Sequence, residues 1–231
     1  MPIGMATLAQ IIATHGSILV LDAASATVQA GLLRVDAAPL WRSSVEESGQ
    51  SLFTCTDACL RAAGLKLRDI RTFVFCEGPG SMLGVRTTAM AIRTWQSEIP
   101  RPTYRYQSLA LATHFVASQK PHHRFAVIAD ARRETWHCQT VEADGRMPAL
   151  QRLPLAELPQ LELFTPENFR MWSELPTSVA TCSYDLQKLF SAATGGDYFR
   201  LTDAPDAFQH EAPDYKKWSA QTHSAATAPA R

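Results

Sequence analysis

The chain has 231 residues, 46% of them hydrophobic and 19% charged, a balance that fits a folded protein and excludes the polar, charge-rich profile of intrinsic disorder. Its 22 lysines and arginines are matched by 22 aspartates and glutamates, so it lacks the cationic surplus that displaces counterions from a nucleic-acid backbone. Contact with RNA is therefore expected to be local or indirect.

The length allows two packed lobes of about 100 residues each. These are read as residues 17–104 and 105–220, with 1–16 and 221–231 as flexible ends. No stretch approaches the ~18 apolar residues of a membrane span, and the start joins no basic segment to an apolar run and a cleavage site. The protein is expected in the cytoplasm. The five cysteines (Cys55, Cys59, Cys76, Cys138 and Cys182) are odd in number, lack CxxC spacing and sit mostly inside apolar stretches. They read as buried free thiols in a reducing compartment.

In chain order, residues 1–16 add no convincing element. A β-branched and leucine run over 18–21, the small-residue turn Asp22-Ala23-Ala24-Ser25, and a second run over 28–35 predict a strand, a turn and an antiparallel strand. The pattern over 50–63 predicts a helix closed by Gly64. Its Leu52, Cys55, Cys59 and Ala63 share one face, while Phe53, Thr56 and Leu60 make a neighbouring apolar face. So wide an apolar surface needs two things to pack against.

Residues 72–76 form a continuous apolar run, as expected of a strand buried on both faces of a mainly parallel sheet. The run leads through Gly78-Pro79-Gly80-Ser81 into a helix predicted over 83–96. Here Val85, Ala89 and Ile92 form a core stripe. Leu83, Arg86, Thr87, Met90 and Thr94 form a second stripe, which fits either a helix-on-helix partner surface or further internal packing. Pro100 and Pro102 end this half.

The second half restarts with a helix over 108–118 and a buried strand over 125–129. Asp130-Ala131-Arg132-Arg133-Glu134 then turns the chain into a strand over 135–141, repeating the first half's order of strand, aspartate, turn and antiparallel strand. Thr165-Pro166-Glu167-Asn168 has the grammar of a helix start. A short strand at 178–181 and a helix ending near Gly195-Gly196 follow.

Two glycines and a serine between a buried strand and a helix start can aim backbone N–H groups at an anion. They can equally serve a tight turn that lets the helix approach the sheet. Asp22 and Asp130 each end a strand before a small turn, where an actin-like ATPase would hold metal-bound phosphates, but Asp22 lacks the following glycine that close phosphate approach requires. His114, His122 and His123 are not spaced as a metal pair on one helical turn and are expected in an exposed loop. GxSxG, HExxH and GxxxxGK motifs are all missing.

Taken together, Ile18-Leu-Val-Leu-Asp22-Ala-Ala-Ser25, then Gly78-Pro-Gly-Ser-Met-Leu-Gly-Val-Arg86, then Ile128-Ala-Asp130-Ala-Arg-Arg-Glu134 resemble the TsaB (YeaZ) family in residues, order and spacing. The likeness covers residues 18–141 and extends loosely beyond. It implies an α/β, actin-like (ribonuclease H-like) two-lobed fold with mixed sheets flanked by helices. It also implies a scaffold without catalysis of its own, bound to a TsaD-type sister enzyme that works with a TsaE-type ATPase to form threonylcarbamoyl-adenosine beside the tRNA anticodon. On that reading no cofactor is expected, tRNA is touched only indirectly, and the isolated chain can pair with itself. Asp22, Gly78, Gly80, Ser81 and Asp130 become remnants of phosphate loops. The partner surface comprises Leu52, Phe53, Thr56, Leu60, Leu83, Arg86, Thr87, Met90 and Thr94. This chain carries Met82-Leu83 where the family has Phe-Thr, Thr87-Thr88 in place of a small glycine-containing face, and Ser48-Gly49 near a usual histidine. Its second lobe also looks shortened. The rival readings are a nucleotide hydrolase or glycoprotease-like peptidase of the same fold, and a diverged homodimeric interaction protein outside the tRNA pathway.

Overall fold

The computed structural model describes residues 5–176 and 178–209; the proposed end segment 221–231 lies outside them. Its strands are β1 Met5–Ala6, β2 Ser17–Asp22, β3 Val28–Arg34, β4 Ala37–Ser44, β5 Thr72–Gly78, β6 Thr103–Gln107, β7 Phe125–Asp130, β8 Thr135–Val141, β9 Gln151–Pro154, β10 Glu162–Pro166, β11 Val179–Cys182 and β12 Phe199–Leu201. Its α-helices are α1 Leu8–His15, α2 Ser48–Ala62, α3 Met82–Glu98, α4 Ser108–Gln119 and α5 Leu186–Ala192.

Two mixed sheets result, ordered β1-β12-β6-β5-β2-β3-β4 and β11-β10-β7-β8-β9. Each is built on the same device. A strand that ends in aspartate pairs antiparallel with the strand after it, so Asp22 faces Gln29 across β2–β3 and Asp130 faces Trp136 across β7–β8. On its other side the same strand pairs in parallel, β2 with β5 and β7 with β10. This is the α/β architecture of mixed sheets flanked by helices that the family resemblance implied.

One core joins the sheets. Val20, Val74, Tyr106, Leu109, Phe125, Val127 and Leu186 belong to a single buried cluster, with α4 wedged between the sheets. A second cluster lies on the opposite face of the first sheet, where α2 and α3 cover Leu19, Leu21, Phe73 and Phe75. All five cysteines are buried and unpaired, and burial pushes the Cys182 thiol up to about 12.

Three local expectations need correction. Residues 5–16 are not a loose arm: β1 pairs with β12 at the edge of the first sheet, and Leu8 and Ile11 of α1 enter the core. Thr7 caps α1 by accepting from the Gln10 backbone N–H at 3.1 Å while its own N–H donates to Gln10 Oε1 at 2.9 Å. A helix of eight residues carries too little periodicity to stand out in the sequence. Thr165 begins no helix. It lies in β10, opposite Thr181 of the parallel β11, because burial of Leu163 and Phe164 in the sheet outweighs the capping grammar that follows. The chain also does not pause at Pro102 but enters β6, whose Thr103 and Tyr106 are buried.

Candidate functional site: a sealed seam and an open helix groove

Asp22 is fully buried. Its Oδ1 accepts the Ala24 N–H at 2.8 Å, and its Oδ2 accepts the hydroxyls of Tyr106 at 2.6 Å and Tyr184 at 2.8 Å. Burial drives its pKa up, against the pull of these hydrogen bonds. Tyr106 comes from β6 of the first sheet and Tyr184 follows β11 of the second, so one carboxylate ties the two halves together. Gln29 on β3 adds two stitches. Its Nε2 donates to the Tyr184 carbonyl at 2.8 Å and its Oε1 accepts the Leu186 N–H at 2.9 Å. The place read as a phosphate-loop remnant is therefore filled by two tyrosines, and Asp22 has no face left for an anion or its metal.

The Gly78–Ser81 loop is equally committed. The Ser81 N–H donates to the Ala24 carbonyl at 2.6 Å, and Ser81 Oγ accepts from Gly84 N–H at 3.3 Å as the cap of α3. A Cβ on Gly80 would stand 2.3 Å from the Ala24 carbonyl oxygen, and one on Gly84 would stand 2.1 Å from that of Ala23. Of the two readings open for these glycines, the geometry supports close approach of α3 to the β2–β3 turn. The Gly78 N–H is likewise taken up inside the chain, by Cys76 Sγ at 3.4 Å.

Asp130 meets the second turn in the same way. Burial alone would raise its pKa, but the backbone N–H groups of Arg132, Trp172 and Ser173, at 2.6, 2.7 and 2.6 Å, outweigh that and hold it below the ordinary carboxylate value. Its oxygens anchor loops instead of facing a ligand. Among the described residues no three His, Cys, Asp or Glu side chains gather as metal ligands. His114 is half-buried on α4, bonded to the Ala192 carbonyl at 3.0 Å and the Tyr198 hydroxyl at 2.6 Å, and so does not share the exposed turn that holds His122 and His123.

The expected partner residues divide. Leu52, Thr56 and Leu60 are buried by this chain itself, because α2 lies directly on β3 and β4. They cannot form part of a free surface. Covering each leucine stabilises the fold by about 1.5–3 kcal/mol. Phe53, Leu83, Arg86, Thr87, Met90 and Thr94 stay together outside, lining a groove of about 460 Å³ between α2 and α3. Leu83 is 72% exposed, Met90 55% and Phe53 50%, which is far more apolar surface than isolated surface residues usually contribute. Trp95, which the sequence reading passed over, forms part of the wall, with its ring edge-on to Phe53 at 6.1 Å. Its signal was present, since Leu83, Thr87, Ala91 and Trp95 recur every four residues.

Fold and groove together define an α/β protein of two mixed sheets with an open apolar groove between two helices of the first. The family model described as TsaD, tRNA N6-adenosine threonylcarbamoyltransferase, matches residues 44–147, a span that contains both groove helices. Among solved structures, YeaZ from Pseudomonas aeruginosa shares the fold at a TM-score of 0.59 with 19% identity, over 77% of this chain and 90% of that one. A second structure, of an uncharacterized protein with similarity to peptidase YEAZ from the same organism, gives the same values of 0.59, 19%, 77% and 90%. A Bacteroides thetaiotaomicron protein described as having an actin-like ATPase fold and unknown function aligns over 78% of this chain and 97% of its own at 8% identity, with a TM-score of 0.37. No curated protein matches the sequence. The resemblance to the TsaB (YeaZ) family read from the three sequence segments thus stands, on a family model and on a shared fold. Among the described residues no helix is long and apolar enough to cross a membrane.

Proposed function

We propose that this protein is a non-catalytic scaffold that seats a TsaD-type sister enzyme on its α2–α3 groove, within the machinery that forms threonylcarbamoyl-adenosine on tRNA and that includes a TsaE-type ATPase. The observation that carries the reading is the exposed apolar stripe of Phe53, Leu83 and Met90 beside a sealed Asp22. Solvent contact with such a stripe is unfavourable by roughly 25 cal/mol per Å², and a packed partner removes it. The family-model match over both groove helices supports a TsaD-related partner over an unrelated one.

A nucleotide hydrolase needs an acidic group that reaches metal-bound phosphate, and both oxygens of Asp22 already accept from protein donors. The scaffold reading therefore fits the seam better than the enzyme reading does. Co-purification with the TsaD-type protein of the same cell tests it, together with the tRNA content of modified adenosine after the gene is removed. Failure to co-elute and an unchanged modification level would refute the proposal. A self-paired complex that excludes the TsaD-type protein would favour the diverged homodimer.

A further inference from the structure

The α2–α3 groove is apolar in all but one respect. Phe53, Leu83, Met90, Ala91 and Trp95 give it carbon and sulfur surface. Its two threonines turn their hydroxyl protons back on their own helix, Thr87 donating to the Leu83 carbonyl at 2.9 Å and Thr94 to the Met90 carbonyl at 2.9 Å. Arg86 is the single charged side chain of the lining.

The three arginines of the two helices differ in their surroundings. Arg61 on α2 is paired with Asp57 one turn before it. Arg93 on α3 is paired with Asp206 at 3.3 Å, and its guanidinium also reaches Met90 Sδ at 3.9 Å. Arg86 is exposed, and among the described residues no carboxylate lies within ion-pair distance of its guanidinium.

In water a guanidinium is hydrated and needs no partner. Under a docked polypeptide a covered, unpaired cation opposes binding, whereas one that meets a carboxylate gains a charge-assisted, two-pronged hydrogen bond. The stripe thus asks for apolar cover and Arg86 asks for an acid within that cover, and both demands fall on one occupant. A second copy of this chain presenting the same groove does not meet them, because the lining contains no carboxylate and brings another guanidinium in its place.

We infer that the partner seated on this groove presents an aspartate or glutamate flanked by large apolar side chains. The apolar side chains fill the space along Phe53, Leu83 and Met90 while the acid takes both arms of Arg86. Arg86 is then the residue that selects the partner, since an apolar stripe supplies adhesion with little selectivity. The inference rests on the scaffold reading and adds to it the chemistry of the matching face.

Calorimetric titration with the TsaD-type protein of the same cell tests it, on wild type and on Arg86→Met, Arg86→Lys and Arg86→Glu, each shown by thermal denaturation to be folded. Arg86→Met keeps the aliphatic stem and removes the charge. It is expected to weaken the complex ~30-fold, and Arg86→Glu ~100-fold or more. Arg86→Lys should cost only several-fold, because the ammonium keeps the charge and loses the fork. Raising salt from about 50 to about 500 mM should weaken the wild-type complex and leave that of Arg86→Met nearly unchanged. Self-association followed by sedimentation should not weaken in Arg86→Met. Undiminished binding by a folded Arg86→Met, or a wild-type complex indifferent to salt, would overturn the inference and leave the scaffold reading standing. Self-association that is lost in Arg86→Met would also overturn it, by showing that a second copy supplies the acid. A wild type that fails to bind the TsaD-type protein overturns both readings.

Discussion

The seam at Asp22 and the groove between α2 and α3 are opposite solutions to a shared problem. At the seam, polar atoms are consumed inside the protein, down to a carboxylate with three donors. At the groove, apolar side chains that the core could have absorbed are left outside, although Leu52 and Leu60 on the same α2 helix are buried. Inward polarity and outward hydrophobicity are what the proposed scaffold role requires. A chain that turns over a nucleotide needs the reverse.

The comparison breaks most visibly at Asp22. Asp22→Ala leaves the Tyr106 and Tyr184 hydroxyls and the Ala24 N–H without an acceptor, and is expected to cost about 3 kcal/mol or more in urea unfolding. A loss within the scatter of ordinary surface substitutions would mean that the halves are not held by this carboxylate. At the groove the outcome should be inverted. Met90→Glu buries an unpaired charge only when a partner covers it, so it should weaken a complex by roughly 30-fold or more, the level of an interface hot spot, while unfolding stability shifts by less than about 0.5 kcal/mol. Between these lies Gly84→Ala. In a free helix it would gain about 1 kcal/mol. Here the added methyl meets the Ala23 carbonyl at 2.1 Å, so a net loss of about 1–2 kcal/mol is expected in thermal denaturation.

The smallest effect is a matter of sign. Asp130 is held below the ordinary value, so its contribution is present above the unfolded carboxylate range and is lost as pH falls through its own lower pKa. Asp22 is raised, so it costs the fold more as pH climbs from the ordinary 3.8 toward its own higher value. Unfolding measured from pH 3 upward should show Asp130→Asn flattening the acid limb, and Asp22→Asn relieving the penalty above it. Matching slopes in the two variants would remove the contrast between a carboxylate held by backbone N–H groups and one sealed between two tyrosines.

The sequence revealed most of what is local and little of what is distant. The strand–aspartate–turn–strand repeat, both groove helices and the buried cysteines follow from period and composition, and they recur in the structure. The sealing of Asp22 does not. Its partners Tyr106 and Tyr184 lie 84 and 162 residues away, and no spacing rule connects them. The groove was half legible for a related reason. Phe53 and Leu52 are neighbours on one helix, and only the placement of β3 and β4 decides which is covered. Where local grammar and sheet burial conflicted, as at Thr165, burial prevailed.

The central claim is that an apolar face on the first-sheet helices exists to be covered by a TsaD-type protein. Its most direct measurement is the affinity of that protein for wild type, Met90→Glu and Asp22→Asn, each confirmed folded. Tight binding by wild type and Asp22→Asn with loss in Met90→Glu is the expected pattern. Undiminished binding by Met90→Glu, or no binding by wild type, would contradict it.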